Sequence, residues 1–188
     1  MSDNMAQTLI RIAAVSTALL TGEAAAQTPD SLTAEARAFR ERREYHLRDG
    51  GVWWAANPAY KPGDSTVVSH FGYRFAEGYG LHAYRIRIVG RLDTREFVFW
   101  EGVSAWHPIR NAWSYQAEGT GGAVAIGASI NREGDLVFDV IAPDGTVTTN
   151  LDRDSVVGPD EFTSESFRLT GGRWTPNQRL TWKRERKR

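Results

Sequence analysis

Between Val52 and Lys183 the chain alternates apolar and polar residues in short runs, a period of two that belongs to strands with one buried face. In Thr66–Phe75 the residues Val67, Ser69, Phe71, Tyr73 and Phe75 fall on one side, with His70 and Arg74 on the other. In Leu81–Gly90 His82, Tyr84, Ile86 and Ile88 oppose Arg85 and Arg87. Turn chemistry recurs roughly every ten residues, at Gly119-Thr120-Gly121-Gly122 and Pro143-Asp144-Gly145 for example, and no helical period intervenes. The pattern predicts an all-β domain of about ten strands, closed as one antiparallel up-and-down barrel. A single helix precedes it: Asp30 or Ser31 can cap a run to about Arg48, with Leu32, Ala36, Phe39 and His46 along one side, and Gly50-Gly51 ends it.

Register follows from matching apolar side chains across each hairpin, because a slip of one residue turns a whole face outward. A loop at Ala76-Glu77-Gly78-Tyr79 pairs Tyr73 with His82 and Phe71 with Tyr84. Across Arg91-Leu92-Asp93-Thr94, Ile88 then meets Phe97, Ile86 meets Phe99 and Tyr84 meets Glu101. The same rule turns Trp113 and Tyr115 inward, opposite Val124, Ile126 and Ala128, followed by Leu136, Phe138 and Val140, then Val147, Thr149 and Leu151. In the last two strands Leu180 and Trp182 share a face, whereas Phe162 and Phe167 do not. His70, Arg85 and Arg87 are expected to be exposed, and Ile86, Phe97, Phe99 and Ile126 buried.

Ahead of the helix lies the apolar run Ile12–Leu20, with Arg11 before it and small residues at Ala24 and Ala26 after it. This is the layout of a secretory signal peptide at residues 1–26, and the run is far short of the roughly 20 residues that span a bilayer. The expected division is therefore a signal peptide at 1–26, a helix within 27–50, a barrel at 51–183 and a basic tail at 184–188, the mature protein being periplasmic or secreted with no transmembrane segment. The 188 residues hold 23 basic and 23 acidic side chains, a balance that gives no footprint for nucleic acid. His46 and His70 read as surface histidines. With no cysteine present, disulfides, thiol catalysis and Cys-ligated metals are excluded.

The deduced interior gathers an acid, an imidazole and two phenols: Glu101, His82, Tyr84 and Tyr73. Such a cluster can anchor the polar end of a ligand, form a satisfied buried network, or move protons, with His82, Glu101 and Tyr84 as the candidate catalytic groups. Phe99, Trp113 and Tyr115 would add apolar wall, and Trp106 and His107, before Pro108, could cover a barrel mouth. Gly102-Val103-Ser104-Ala105-Trp106 lacks the final glycine of a nucleophile elbow, and Gly119–Val124 is no dinucleotide fingerprint. Asp152-Arg153-Asp154 begins like a calcium loop, but Ser155-Val156-Val157 supplies neither the third ligand nor the glycine. No metal or other cofactor is expected.

One helix before ten strands, the early Trp53-Trp54 with Asn57 and Tyr60, Gly51-Val52-Trp53 near the first strand, and Trp106-His107-Pro108 followed by Tyr115-Gln116 give a resemblance to the calycin-like, lipocalin-like barrels of exported bacterial proteins. The resemblance covers roughly Gly51–Lys183. It implies an internal cavity for a small apolar or aromatic molecule. On this reading Tyr73, His82, Tyr84, Phe99, Glu101, Trp106, His107, Trp113 and Tyr115 are the candidate ligand-binding residues. The alternatives are a cofactor-independent isomerase, lyase or hydrolase using His82 and Glu101, and a structural or interaction protein of the cell envelope with a filled interior.

Overall fold

The computed structural model describes residues 33–78 and 80–186. Helix α1 (Ala34–Leu47) is followed by ten strands: β1 (Val52–Ala56), β2 (His70–Glu77), β3 (Ala83–Leu92), β4 (Arg95–His107), β5 (Ala112–Gly119), β6 (Val124–Ser129), β7 (Leu136–Ile141), β8 (Val147–Gly158), β9 (Glu161–Thr170) and β10 (Arg173–Arg184). Each strand pairs antiparallel with its successor, and β1 pairs with β10, so the sheet closes into the expected up-and-down barrel with no free edge. The expected signal peptide lies outside the described residues.

The helix starts at Thr33, whose hydroxyl accepts the Ala36 N–H at 3.1 Å, rather than at the expected Asp30 or Ser31, which lie outside the described residues. Its buried side is Ala36, Phe39, Arg43 and His46, spaced to face one way, and that side plugs one end of the barrel. Phe39 sits 5.7 Å from Tyr84, 6.2 Å from Trp106 and 5.5 Å from Trp113, ring centre to ring centre. His46, expected on the surface, is buried instead and stacks on Phe75 at 4.3 Å. Trp53, Phe39 and Phe162 are the largest fully enclosed side chains, each worth about 1.5–3 kcal/mol of transfer free energy.

Arg184, expected in a solvated basic tail, is the last residue of β10 and its side chain is wholly enclosed. Its guanidinium donates to the carbonyls of Tyr45 (3.1 Å), Arg48 (2.7 Å) and Pro159 (2.8 Å) and pairs with Asp160 at 3.1 Å. It also lies 4.1 Å from the Trp53 ring centre. A buried cation is tolerated here because each of its three nitrogens meets an acceptor. Arg184 thereby fastens the C-terminal end of α1 to the closing strand.

On the outer face Arg85, Arg87 and Glu101 are exposed, and Gln116, Glu165 and Arg179 also point outward. Charges so placed are unlike the continuous apolar band of a membrane barrel. No helix among the described residues is long and apolar enough to cross a membrane.

The expected pairings on both sides of β3 are corrected. β2 extends to Glu77 and pairs it with Tyr84, so Tyr73 meets Ile88 rather than His82. The shift is an even number of residues, so Phe71, Tyr73 and Phe75 still share the inner face with Tyr84, Ile86 and Ile88, but His82 drops out of the strand into a short 3-10 turn, Gly80–His82, where it is exposed. Between β3 and β4 Ile88 faces Trp100 while Val89 faces Val98, leaving Phe99 as the extra residue of a bulge. The bulge changes parity along β4. Trp100, Gly102, Ser104 and Trp106 turn inward, and Glu101 turns outward opposite Arg87, with which it pairs at 2.9 Å.

Candidate ligand-binding cavity

The half of the barrel away from α1 is hollow. It holds a cavity of about 680 Å³ open toward the end formed by the β1–β2, β3–β4, β5–β6, β7–β8 and β9–β10 connections. One wall is apolar and comes from β2, β3 and the bulge of β4: Phe71, Tyr73, Ile86, Ile88, Phe99 and Trp100. The ring of Phe99 lies over Gly90, where a Cβ would come within 2.5 Å of it, so the bulge and this glycine together aim the phenyl group inward. The neighbouring wall carries small residues: Gly119, Ala123 and Ala125 line the cavity, and Gly102, Ala117 and Ala125 face one another in a row across β4–β6. At Gly102 a Cβ would meet the Gln116 carbonyl oxygen at 2.2 Å. Small side chains along this wall leave the interior unfilled.

The third wall is polar. On β8 Thr148, Asn150, Asp152 and Asp154 point inward at every second residue, and Ser164, Ser166 and Arg168 of β9 stand opposite them. The expected inward set Val147, Thr149 and Leu151 therefore faces out. Leu151 is still buried, because on the outer surface it lies between its cross-strand partners Val137 and Phe167, with the Arg153 guanidinium over the Phe167 ring. Likewise Ile126 is 41% exposed and Ala125 takes the inner position, while Phe97, expected to be buried, is also 41% exposed.

Chemistry concentrates where the polar wall meets the plug. Arg42 reaches in from α1, pairs with Asp154 at 3.5 Å, bonds the Glu133 carbonyl and lies 5.1 Å from the Trp113 ring centre. Asp152, two residues away on the same face, has no hydrogen bond or ion pair among the described residues. Burial pushes its carboxyl up to about 7, with the Asp154 charge adding to the shift. The field of Asp152 reaches the phenols of Tyr73 and Tyr115, both raised above the ordinary tyrosine range chiefly by burial, and burial pushes Tyr84 to about 12. These phenols are proton donors at any physiological pH. Burial, followed by the positive fields of Arg42 and Arg184, holds His46 down at about 3, so its ring is neutral, and its Nδ1 has no partner among the described residues.

Five of the nine candidate residues, Tyr73, Tyr84, Phe99, Trp113 and Tyr115, line this cavity. Trp106 lies in β4 rather than in a mouth loop, buried against Phe39 in the plug. His107 ends β4 at the plugged end, where its Nδ1 accepts the Arg110 N–H at 3.3 Å. His82 and Glu101 stand outside, so the structure does not assemble the expected His82–Tyr84–Glu101 wall. Polar side chains that register matching did not place in the interior include Asp152, Asp154, Asn150, Thr148, Ser164 and Ser166. Their signal was the unbroken alternation of polar residues at 148, 150, 152 and 154. Among the described residues no group of three or more His, Asp or Glu is arranged to hold a metal ion.

Compared with known proteins, the chain matches no family model and no curated protein sequence.

Proposed function

We propose that this protein binds a small, largely apolar molecule inside its barrel, as the calycin-like resemblance implies. The observation that carries the reading is the hollow half of the interior, whose volume is near 680 Å³ and whose exposed groups include the unpartnered carboxyl of Asp152. A barrel built only for structure fills its interior, since empty space forfeits dispersion contacts and unpaired polar groups lose hydrogen bonds. Tyr73, Phe99, Trp113 and Tyr115 supply ring faces, and Tyr84 and Asp152 supply directional contacts.

The experiment is uptake of the neutral dye Nile red, followed by fluorescence, in the natural sequence and in Ala125→Phe, which projects a ring into the cavity from the small-residue wall. Uptake that is lost in the variant, with the circular dichroism spectrum retained, is the expected result. Equal dye binding by the variant would remove the interior as the site.

One observation favours a second reading, proton-transfer catalysis: a carboxyl poised near neutrality in a ligand-sized space is an effective acid or base. Here Asp152, rather than His82 or Glu101, would move the proton. Solvent-deuterium incorporation into a co-purifying ligand, lost in Asp152→Asn, distinguishes turnover from binding. Export is proposed on the Ile12–Leu20 run and the Ala24-Ala25-Ala26 site. Intact mass of protein from its native host should then begin at or close to Gln27, and a soluble cytoplasmic form retaining residues 1–26 would overturn it.

A further inference from the structure

We infer that the molecule held in the cavity carries a protonated amine, and that Asp152 is its counter-ion. The inference rests on the binding reading and narrows it to a chemical class. Charge complementarity is the argument. Among the described residues that line the cavity, the charged side chains are Arg42, Asp152, Asp154 and Arg168. Arg42 is committed to Asp154 and to the Glu133 carbonyl. Arg168 is exposed one step toward the mouth, opposite Asn150, and makes no ion pair within 4.0 Å of any described carboxylate, Asp152 included. Asp152 is thus the one interior acid with no cation matched to it, and the histidine at the end of the cavity, His46, is neutral.

The surroundings suit a cation. Tyr73 and Tyr115 lie within the field of Asp152, and Tyr115 meets Phe138 edge to face at 5.8 Å, so the cavity that holds the carboxyl also holds aromatic rings able to receive a cation. Asn150, Ser164 and Ser166 add neutral oxygens that can accept the remaining ammonium hydrogens. Beside Asp152 a carboxylate ligand would meet two acids and an Arg42 already engaged, the unpaired Arg168 standing farther toward the mouth, so fatty-acid-like anions are disfavoured at this depth. A neutral alcohol would leave Asp152 with no cation beside it whenever it ionises. An ammonium balances it, and on binding it draws Asp152 back to its ionised form, which couples uptake to release of a proton near neutral pH.

The test uses three probes that share an indole: tryptamine, tryptophol and indole-3-propionate, each displacing Nile red at pH 8. Tryptamine is expected to displace at a concentration at least about tenfold below that of tryptophol, with indole-3-propionate the weakest. The advantage of the amine should shrink toward pH 5.5 as Asp152 takes up its proton. In Asp152→Asn it should vanish, tryptamine falling to the level of tryptophol. Asp152→Ser serves as a second variant, and thermal unfolding of both checks that the barrel is intact. Nile red uptake with no preference for the amine, or a preference that survives in both variants, overturns this inference and leaves the binding reading standing. Failure of Nile red to enter the barrel overturns both.

Discussion

The two ends of the barrel interior are built from similar residue types and put to opposite uses. At the α1 end Phe39, His46, Trp53, Phe75, Phe162 and Trp182 are packed ring against ring. Toward the mouth, rings line one wall, small residues line the next, polar residues line the third, and space remains among them. Side chains in the packed end are held by contacts with one another, so altering them should change stability. Those around the cavity have fewer partners within the protein, so altering them should change occupancy. The same buried titratable chemistry also acts in opposite senses at the two ends. A base is held unprotonated at one, and an acid is shifted toward its protonated form at the other.

The strongest challenge to the contrast is Phe39→Ala. It empties the contact among Tyr84, Trp106 and Trp113 and should cost about 3–5 kcal/mol, measured by chemical unfolding. A cost below about 1 kcal/mol would mean that the plug is not integral to the fold.

Next comes His46→Phe. Between about pH 6.5 and 3 the unfolded chain takes up a proton that the folded protein refuses at His46, so stability falls as pH drops through this window. Phenylalanine keeps the stacking on Phe75 and removes the unpartnered Nδ1. The variant should be more stable than the natural sequence by on the order of 3 kcal/mol at pH 4, and by far less at pH 7. Parallel acid-unfolding curves would disprove the assignment.

Asp152→Asn should act in the reverse direction. Between about pH 4 and 7 the folded protein holds a proton that the unfolded chain has released, so this residue makes stability fall as pH rises. In the absence of ligand, the asparagine variant should gain about 2 kcal/mol at pH 8 and nothing at pH 4, the full linkage value being reduced by water in the cavity. A destabilised variant at pH 8 would show that the carboxylate is satisfied in the fold.

The smallest effect is expected for Tyr115→Phe. Its hydroxyl has no partner among the described residues, so stability should change by less than about 1 kcal/mol, read as a midpoint shift in thermal unfolding.

Strand number, closure and the helix were legible in the sequence because they rest on period, turn chemistry and the stop at Gly50-Gly51. Inner faces on β2, β3, β5 and β7 were legible because rings alternate there with charged or small polar groups. The bulge at Phe99 was not, since nothing in the alternation of β4 marks an extra residue, and that single insertion turned Glu101 out. β8 failed for a deeper reason. Matching apolar to apolar assumes a filled core, and in a hollow barrel a polar row can be the inner one while Leu151 is buried on the outside between half-buried Val137 and Phe167. His46 failed on the same assumption about residue type. A neutral imidazole against phenyl and indole rings behaves as one more aromatic plate.

The arginine that joins the helix to the closing strand has a consequence for how the chain is made. Helix α1 and β1 leave the ribosome before the other strands, yet the group that fixes the end of α1, Arg184, belongs to the last strand of the barrel, and β1 waits for the same strand to complete its pairing. Nearly the whole domain must therefore emerge before the ring can shut, so closure is a late, long-range step and the nascent barrel spends its synthesis as an open, strand-edged sheet.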